Sequence, residues 1–228
     1  MDSPGRALAA LAALPGFARR AEADDKWRRV GARVLPVFTG ERVAGSVEES
    51  NELVRSCLRS DAEAAWAEIT GIVRVGMASV MRSLYAHVGV APRFDAPESG
   101  GVLPALSVAG LVGASHVAPL ALAGGVAAAW ATVYSHVVPA LDAVFAPLAL
   151  FRAVRCPAGG VRGAVLAHFC DAVVMPLLPR IEASALAPDC RVLLPTLAHM
   201  LAVLAALPPA DRGPLHRSAR VLVLAQQA

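Results

Sequence analysis

W-A-T-V-Y-S-H-V-V-P-A-L-D-A-V-F-A-P-L, residues 130–148, sets Trp130, Val133, Tyr134, Val137, Val138, Leu141, Val144, Phe145 and Leu148 at steps of three and four. That spacing lays them along one side of a helix. After an Arg/Gly-bearing link, V-R-G-A-V-L-A-H-F-C-D-A-V-V-M-P-L-L-P-R-I-E, residues 161–182, repeats the pattern with Val161, Val165, Leu166, Phe169, Val173 and Leu177. Two helices with one apolar side each, on a short link, bury those sides against each other. Pro139 and Pro176 fall inside them and predict a kink in each.

Working outward, residues 1–23 read as a weakly ordered lead-in, and 24–228 as one domain. Arg6, the run Ala7–Leu14 and Arg19-Arg20 only faintly resemble a targeting segment, since the run is short and Asp2 precedes it. Asp24 and Asp25 suit a helix start. The helix that follows carries Trp27, Val30, Val34 and Phe38 on its apolar side, and Pro36 and Gly40 end it. Ser46, with Glu49 three residues on, predicts a capping box before a helix over 47–59. A third helix, about 61–88, turns Ala65, Ile69, Ile72, Val73, Met77, Val80, Met81 and Leu84 inward. Gly71 and Gly76 inside it cost about 1 kcal/mol each relative to alanine, which points to close helix approach as their reason.

Residues 89–101 read as a loop, 102–114 as a short helix and 115–125 as a Gly/Pro-punctuated link. Helices over about 126–148, 159–185, 189–206 and 210–226 complete the chain, and nothing reads as a strand pair. The expected architecture is all-α: a single compact domain of about seven to eight helices, kinked at prolines.

Composition narrows the function more by exclusion than by indication. The chain is 56% hydrophobic over 228 residues, with a net charge of +3. Such a surplus lacks the dense basic face that nucleic acid requires. Cys57, Cys156, Cys170 and Cys190 include no C-x-x-C pair, so they read as reduced thiols in a cytoplasmic protein. From Ser99 to Leu141 there is no Asp, Glu, Lys or Arg. A bilayer span needs only about 20 apolar residues, so an integral membrane protein using 102–151 as one or two spans is the alternative reading. Pro104, Pro119, several glycines, His116 and His136 interrupt that run and favour a buried helix pair.

Catalytic patterns are missing where they would be expected. Gly159-Gly160-Val161-Arg162-Gly163 follows no strand and has no Lys-Ser/Thr after it, so it reads as a helix-entry loop. Gly113-Ala114-Ser115-His116 lacks the G-x-S-x-G frame. His168 and Cys170 diverge on a helix, and His199, on an apolar helix, reads as a core histidine. Asp142, Asp171, Glu182, Asp189 and Asp211 are scattered singly. Asp142 and Asp171 face solvent or pair with an arginine, such as Arg180 or Arg162, as a structural lock. No catalytic residue, cofactor or metal site is expected.

Three blocks, taken in order, resemble the HbrB-like family, called Protor in animals. W-R-R-V-G-A-R-V-L-P-V-F-T-G-E-R-V-A-G-S-V-E-E-S-N-E-L-V, Trp27 to Val54, is similar to the family's Trp helix, L-P-x-F-x-G-E and L-N-x-L-V. Trp130 to Leu148 is similar to W-x-x-F-x-x-x-L-P-x-L-x-A-x-F-x-P-L, and Val161 to Glu182 to V-R-x-x-x-L-x-x-F-R-D-x-x-x-L-P. Leu193 to Leu207 is a weaker fourth block. Ser50 stands where the family pattern has leucine, and Cys170 where it has arginine, which removes an ion pair beside Asp171. The resemblance implies a non-catalytic accessory subunit of TOR complex 2. Its partners would be the large helical scaffold subunit (Rictor in animals) directly and the TOR kinase indirectly, with membrane association only through the complex. Interfaces centre on large apolar groups, which makes Trp130, Phe145 and Phe151 the candidate contacts, unless Trp130 and Phe145 are core.

Overall fold

Pro15 opens the first helix described by the computed structural model, which describes residues 15–91, 93–94, 106–107, 109–112, 117–151, 154, 156–208 and 212–226. This helix, α1 (Pro15–Val34), extends back past Asp24, so 15–23 of the expected lead-in enter the helix; residues 1–14 lie outside the described residues. Leu35–Thr39 tightens into a 3-10 turn at Pro36, and Gly40 ends it at φ 87°, a left-handed conformation open to glycine. Helix α2 (Val47–Ser60) shows the Ser46 half of the expected capping box: the Glu49 N–H donates to Ser46 Oγ at 3.1 Å, while the Glu49 side chain turns to Arg33. The Glu49 carboxylate pairs with Arg33 at 3.2 Å and so ties α2 to α1.

Helix α3 (Ala65–Val88) is central, packing against the 35–39 turn and against the later helices α5 and α7. Its expected inner face is buried except for Ile72, which is half-buried. Gly76 is required there, since a Cβ would meet the Phe38 ring at 2.3 Å; Gly71 has no such reason, for a Cβ there meets nothing within 4 Å.

Two expectations for 89–125 are corrected. A two-residue antiparallel ladder pairs β1 (Arg93–Phe94) with β2 (Leu106–Ser107), in the register Arg93↔Ser107 and Phe94↔Leu106. It is too short to carry a pattern of alternation. The supposed link is largely helical. After α4 (Ala109–Val112), helix α5 (Pro119–Thr132) begins with Pro119 at its first turn, where the absent N–H costs nothing. Its Gly125 sits where a Cβ would meet Leu84 Cδ1 at 2.8 Å, so the glycine permits close packing of α5 on α3. The segment Gly113–His116 lies outside the described residues.

Helix α5 continues through a π-turn (Val133–Val137) into α6 (Val138–Val144), and α7 (Gly160–Phe169) through a second π-turn (Cys170–Val174) into α8 (Met175–Ala185). Both π-turns stand immediately before an X-Pro step, Val138-Pro139 and Met175-Pro176. Proline has no N–H, and its ring crowds the carbonyl four residues back. A wider turn removes the conflict, and the preceding residue bonds five back, Val138 N–H to the Val133 carbonyl and Met175 N–H to that of Cys170. Helix α5 packs on α8 and α6 on α7, so the two long segments run antiparallel. Trp130, Val133, Val137, Val138, Leu141, Val144, Phe145, Val165, Leu166, Phe169, Val173 and Leu177 are all buried.

A 3-10 turn (Ala146–Leu150) follows α6, and another (Pro188–Leu193) precedes α9 (Leu194–Ala205) and α10 (Gly213–Ala225). The apolar residues of this region divide between core and surface. Val192 is 80% exposed because the 3-10 turn rotates it outward, and Val221 and Leu224 are exposed while Leu215 and Leu222 are buried.

Candidate functional site

The three residues expected to make contacts divide. Trp130 and Phe145 are each 3% exposed, so both are core: the stripe that made them conspicuous faces inward. Phe151 is half-buried against that core, just after the 146–150 turn. Trp130 stacks on Tyr134 with ring centroids 4.7 Å apart and lies 6.0 Å from Phe169. What reaches solvent above it is a trio from three helical segments. Tyr134 is half-buried; Arg162 lies 5.5 Å over its ring and donates to its hydroxyl at 3.4 Å; exposed His199 meets it edge-on at 5.4 Å. His199 is therefore a surface aromatic, not the core histidine expected: Leu197, Met200 and Leu201 take the inward positions of α9.

Asp142 and Asp171 both face solvent, one of the two expected placements, and the arginine that pairs with Asp171 is neither of the two named. Asp171 pairs with Arg212 at 3.4 Å. Arg180 donates to the Leu111 carbonyl and Arg162 to Tyr134. Asp142 is exposed at the α6 surface; partial burial raises its carboxyl pKa, and the Arg162 field opposes the shift. The buried Arg212 also donates to Cys170 Sγ, so a guanidinium from the far end of the chain stands beside Asp171. Burial pushes the Cys170 thiol up to about 11 despite that neighbour, and burial likewise pushes Cys57 to about 11, so both are poor nucleophiles at neutral pH. Among the described residues, no group of three or more His, Cys, Asp or Glu side chains is placed to hold a metal ion.

Residues 40–51 are held down by groups far away in sequence. His136, on the first π-turn, donates from Nε2 to the Glu41 carbonyl at 2.6 Å. The Asn51 amide, oriented to donate, reaches the carbonyls of Ala143 at 3.0 Å and Val144 at 2.7 Å and so caps α6. Ser50 is 1% exposed, but its hydroxyl donates to the Ser46 carbonyl at 2.9 Å, so a serine is accommodated where the family pattern has leucine.

On the opposite wall of α3, a groove of about 420 Å³ runs between α1 and α3. Gly31, Ala32 and Gly71 keep it shallow-walled; Leu35, Ile72 and the 45%-exposed Val75 give it an apolar side. Asp24 on α1 and Glu68 on α3 place carboxylates on its two walls, with Arg28 as the cation beside them. Trp27 also lines it, yet its indole Nε1–H is buried with no acceptor among the described residues. This groove was not anticipated, although its signal was present: Trp27, Gly31 and Leu35 at steps of four, with Glu68, Gly71, Ile72 and Val75 matching them on α3.

No curated protein and no solved structure matches the chain. The family model described as HbrB-like matches residues 21–95, covering α1 from residue 21 on, the 35–39 turn, α2 and α3 and leaving the second and third resembling blocks beyond its reach. The segment that builds the groove and docks on α6 through Asn51 is the one that matches the HbrB-like model.

Proposed function

We propose that this chain is a non-catalytic accessory subunit of TOR complex 2 that binds the complex's large helical scaffold subunit. The observation that carries the reading is the HbrB-like match over residues 21–95. The later blocks, which resemble the same family in the same order, support it. The reading places the chain in the cytoplasm, peripheral to membrane through its complex. The test is affinity purification of the tagged full chain from its own cells, with mass spectrometry of what co-elutes. The scaffold subunit and the TOR kinase are expected together; their repeated absence would overturn the reading.

The membrane alternative has an observation of its own. Pro119–Val144, Gly160–Ala185 and Pro188–Ala205 are each long and apolar enough to cross a bilayer. Against it, 56, 50 and 44% of their apolar windows is already buried inside the fold. Their outward positions include Asp142, Arg162 and Asp171, and Asp189 and Arg191. A charge near mid-span costs roughly 2.5–3.5 kcal/mol on insertion, and Asp171 falls near the middle of its segment. Alkaline carbonate washing separates the two readings: a peripheral subunit leaves the pellet, whereas retention there would favour the spans.

A further inference from the structure

Helix α10 carries two stripes. Leu215, Ser218, Ala219 and Leu222 are buried, while Arg217, Arg220, Val221 and Leu224, at the same steps of three and four, are exposed. Arg212, just before α10, reaches Cys170, and Ser218, further along, donates to Glu182. The helix therefore runs beside α8 in the same direction, and its last turns stand at the end of the fold where Leu186 closes α8. Leu186 is 52% exposed there, Leu224 61%, and Val192, in the 188–193 turn, 80%. Large apolar side chains exposed together mark a contact surface. The charges around them are mostly of one sign. Arg191, Arg217 and Arg220 are exposed and, among the described residues, form no ion pair. From Cys190 onward the one acid in the sequence is Asp211, just ahead of α10. Among the described residues, Asp189 is exposed in the turn, and Glu182 is half-buried and takes the Ser218 hydroxyl. Asp171 lies toward the other end of α10, with Arg212.

We infer that this end of the molecule touches an anionic lipid surface directly, with the outer stripe of α10 in the headgroup layer. The inference goes beyond the accessory-subunit reading, in which the membrane is reached only through the complex, and does not depend on it. Val221, Leu224, Val192 and Leu186 enter the boundary between headgroups and acyl chains. Arg217 and Arg220 lay their aliphatic stems beside them and set their guanidinium groups on lipid phosphates and carboxylates. Charge selects this occupant over a second copy, because a two-fold contact through the same face sets these arginines against their own like. An acidic protein would answer the arginines but would need a pocket for each apolar side chain, and these project from three separate elements. A headgroup layer adapts to all of them, and its negative potential draws the unpaired arginines in.

The test is co-sedimentation of the purified full chain, without any scaffold, with vesicles of phosphatidylcholine alone or with about one-third phosphatidylserine. The chain should pellet with the anionic vesicles, stay in solution with the neutral ones, and be released as salt is raised. Arg217→Gln with Arg220→Gln should lower the partition coefficient about tenfold. Val221→Ser with Leu224→Ser should lower it by a similar factor, through the apolar contact. All four positions are exposed, so the melting curves of both double variants should match the wild type's. Arg191→Gln, in the turn, gives a second reading of the charge dependence outside α10. Equal binding to neutral vesicles, no binding to either kind, or a partition unchanged by either double variant overturns the lipid assignment. So does retention that survives both high salt and alkaline carbonate, which belongs to spans. A chain that ignores vesicles but runs as a dimer, dissociated by Val221→Ser with Leu224→Ser, gives this face to a second copy. None of these outcomes touches the accessory-subunit reading, which the affinity purification tests separately.

Discussion

Phe38 and Gly76 show how one atom decides a position. The Phe38 ring lies where a Gly76 Cβ would be, at 2.3 Å, and both residues are buried. Gly76→Ala should therefore lower the urea midpoint: overpacking costs about 1–3 kcal/mol, which the gain in helix propensity, about 1 kcal/mol, only partly offsets. Gly71→Ala, five residues earlier on the same helix, meets no neighbour and should raise the unfolding free energy by about 0.5–1 kcal/mol, and the midpoint with it. His168 gives a second expectation at this scale. Burial lowers its pKa, the Arg74 charge adds to the shift, and Asp171 opposes it. A histidine held below its unfolded value of about 6.5 binds fewer protons folded than unfolded. Its contribution is present above that value and is lost as pH falls through the window down to the lowered folded pKa. Chemical denaturation across that window should show stability declining on acidification, with a shallower decline in His168→Gln. Asp142 has the opposite sign: its raised carboxyl favours the fold at low pH and loses that contribution as pH rises through the folded value.

At the scale of the element, helix ends and prolines carry the argument. The carbonyls of Ala143 and Val144 end α6 and have their partner in Asn51, on a helix far earlier in the chain. Asn51→Leu keeps the apolar volume but leaves those carbonyls without their donor, and should cost about 1–3 kcal/mol in urea denaturation. A change confined to a few tenths would show that water replaces the amide. Pro139 and Pro176 were legible as interruptions, because the proline ring and its missing N–H act through local geometry. That each interruption takes the form of a π-turn was not legible. A kink, a 3-10 turn and a π-turn all accommodate the same proline, and the choice depends on which side chains must reach the core. The wider turns here turn Val133, Val137, Cys170, Val173 and Val174 inward.

For the whole molecule, Arg212 ties the last helix to the second π-turn. It is 8% exposed, whereas Asp171, its ionic partner, keeps 68% of its side chain in solvent. A pair half in water contributes little, so Arg212→Met, which preserves the aliphatic stem, should change stability by no more than about 1 kcal/mol. Arg212→Ala also removes the stem and should cost more, as measured by the same denaturation series. A large loss in the methionine variant would show that the charge, not the packing, holds α10 in place.

The sequence by itself determined the all-α class, the inward stripes of the two long segments, the Ser46 cap and the resemblance of the first helices to the HbrB-like family. Each of these depends on neighbours within a few residues, where the period of the helix and the chemistry of a cap decide the outcome. Only the tertiary structure decided the rest. It turned Trp130 and Phe145 into core, brought Arg212 to the side of Asp171, set His199 on Tyr134 at the surface and opened a groove beside Trp27. Those outcomes depend on which helices meet and at what rotation. An apolar stripe records that a face is covered, but not whether the cover comes from this chain or from another.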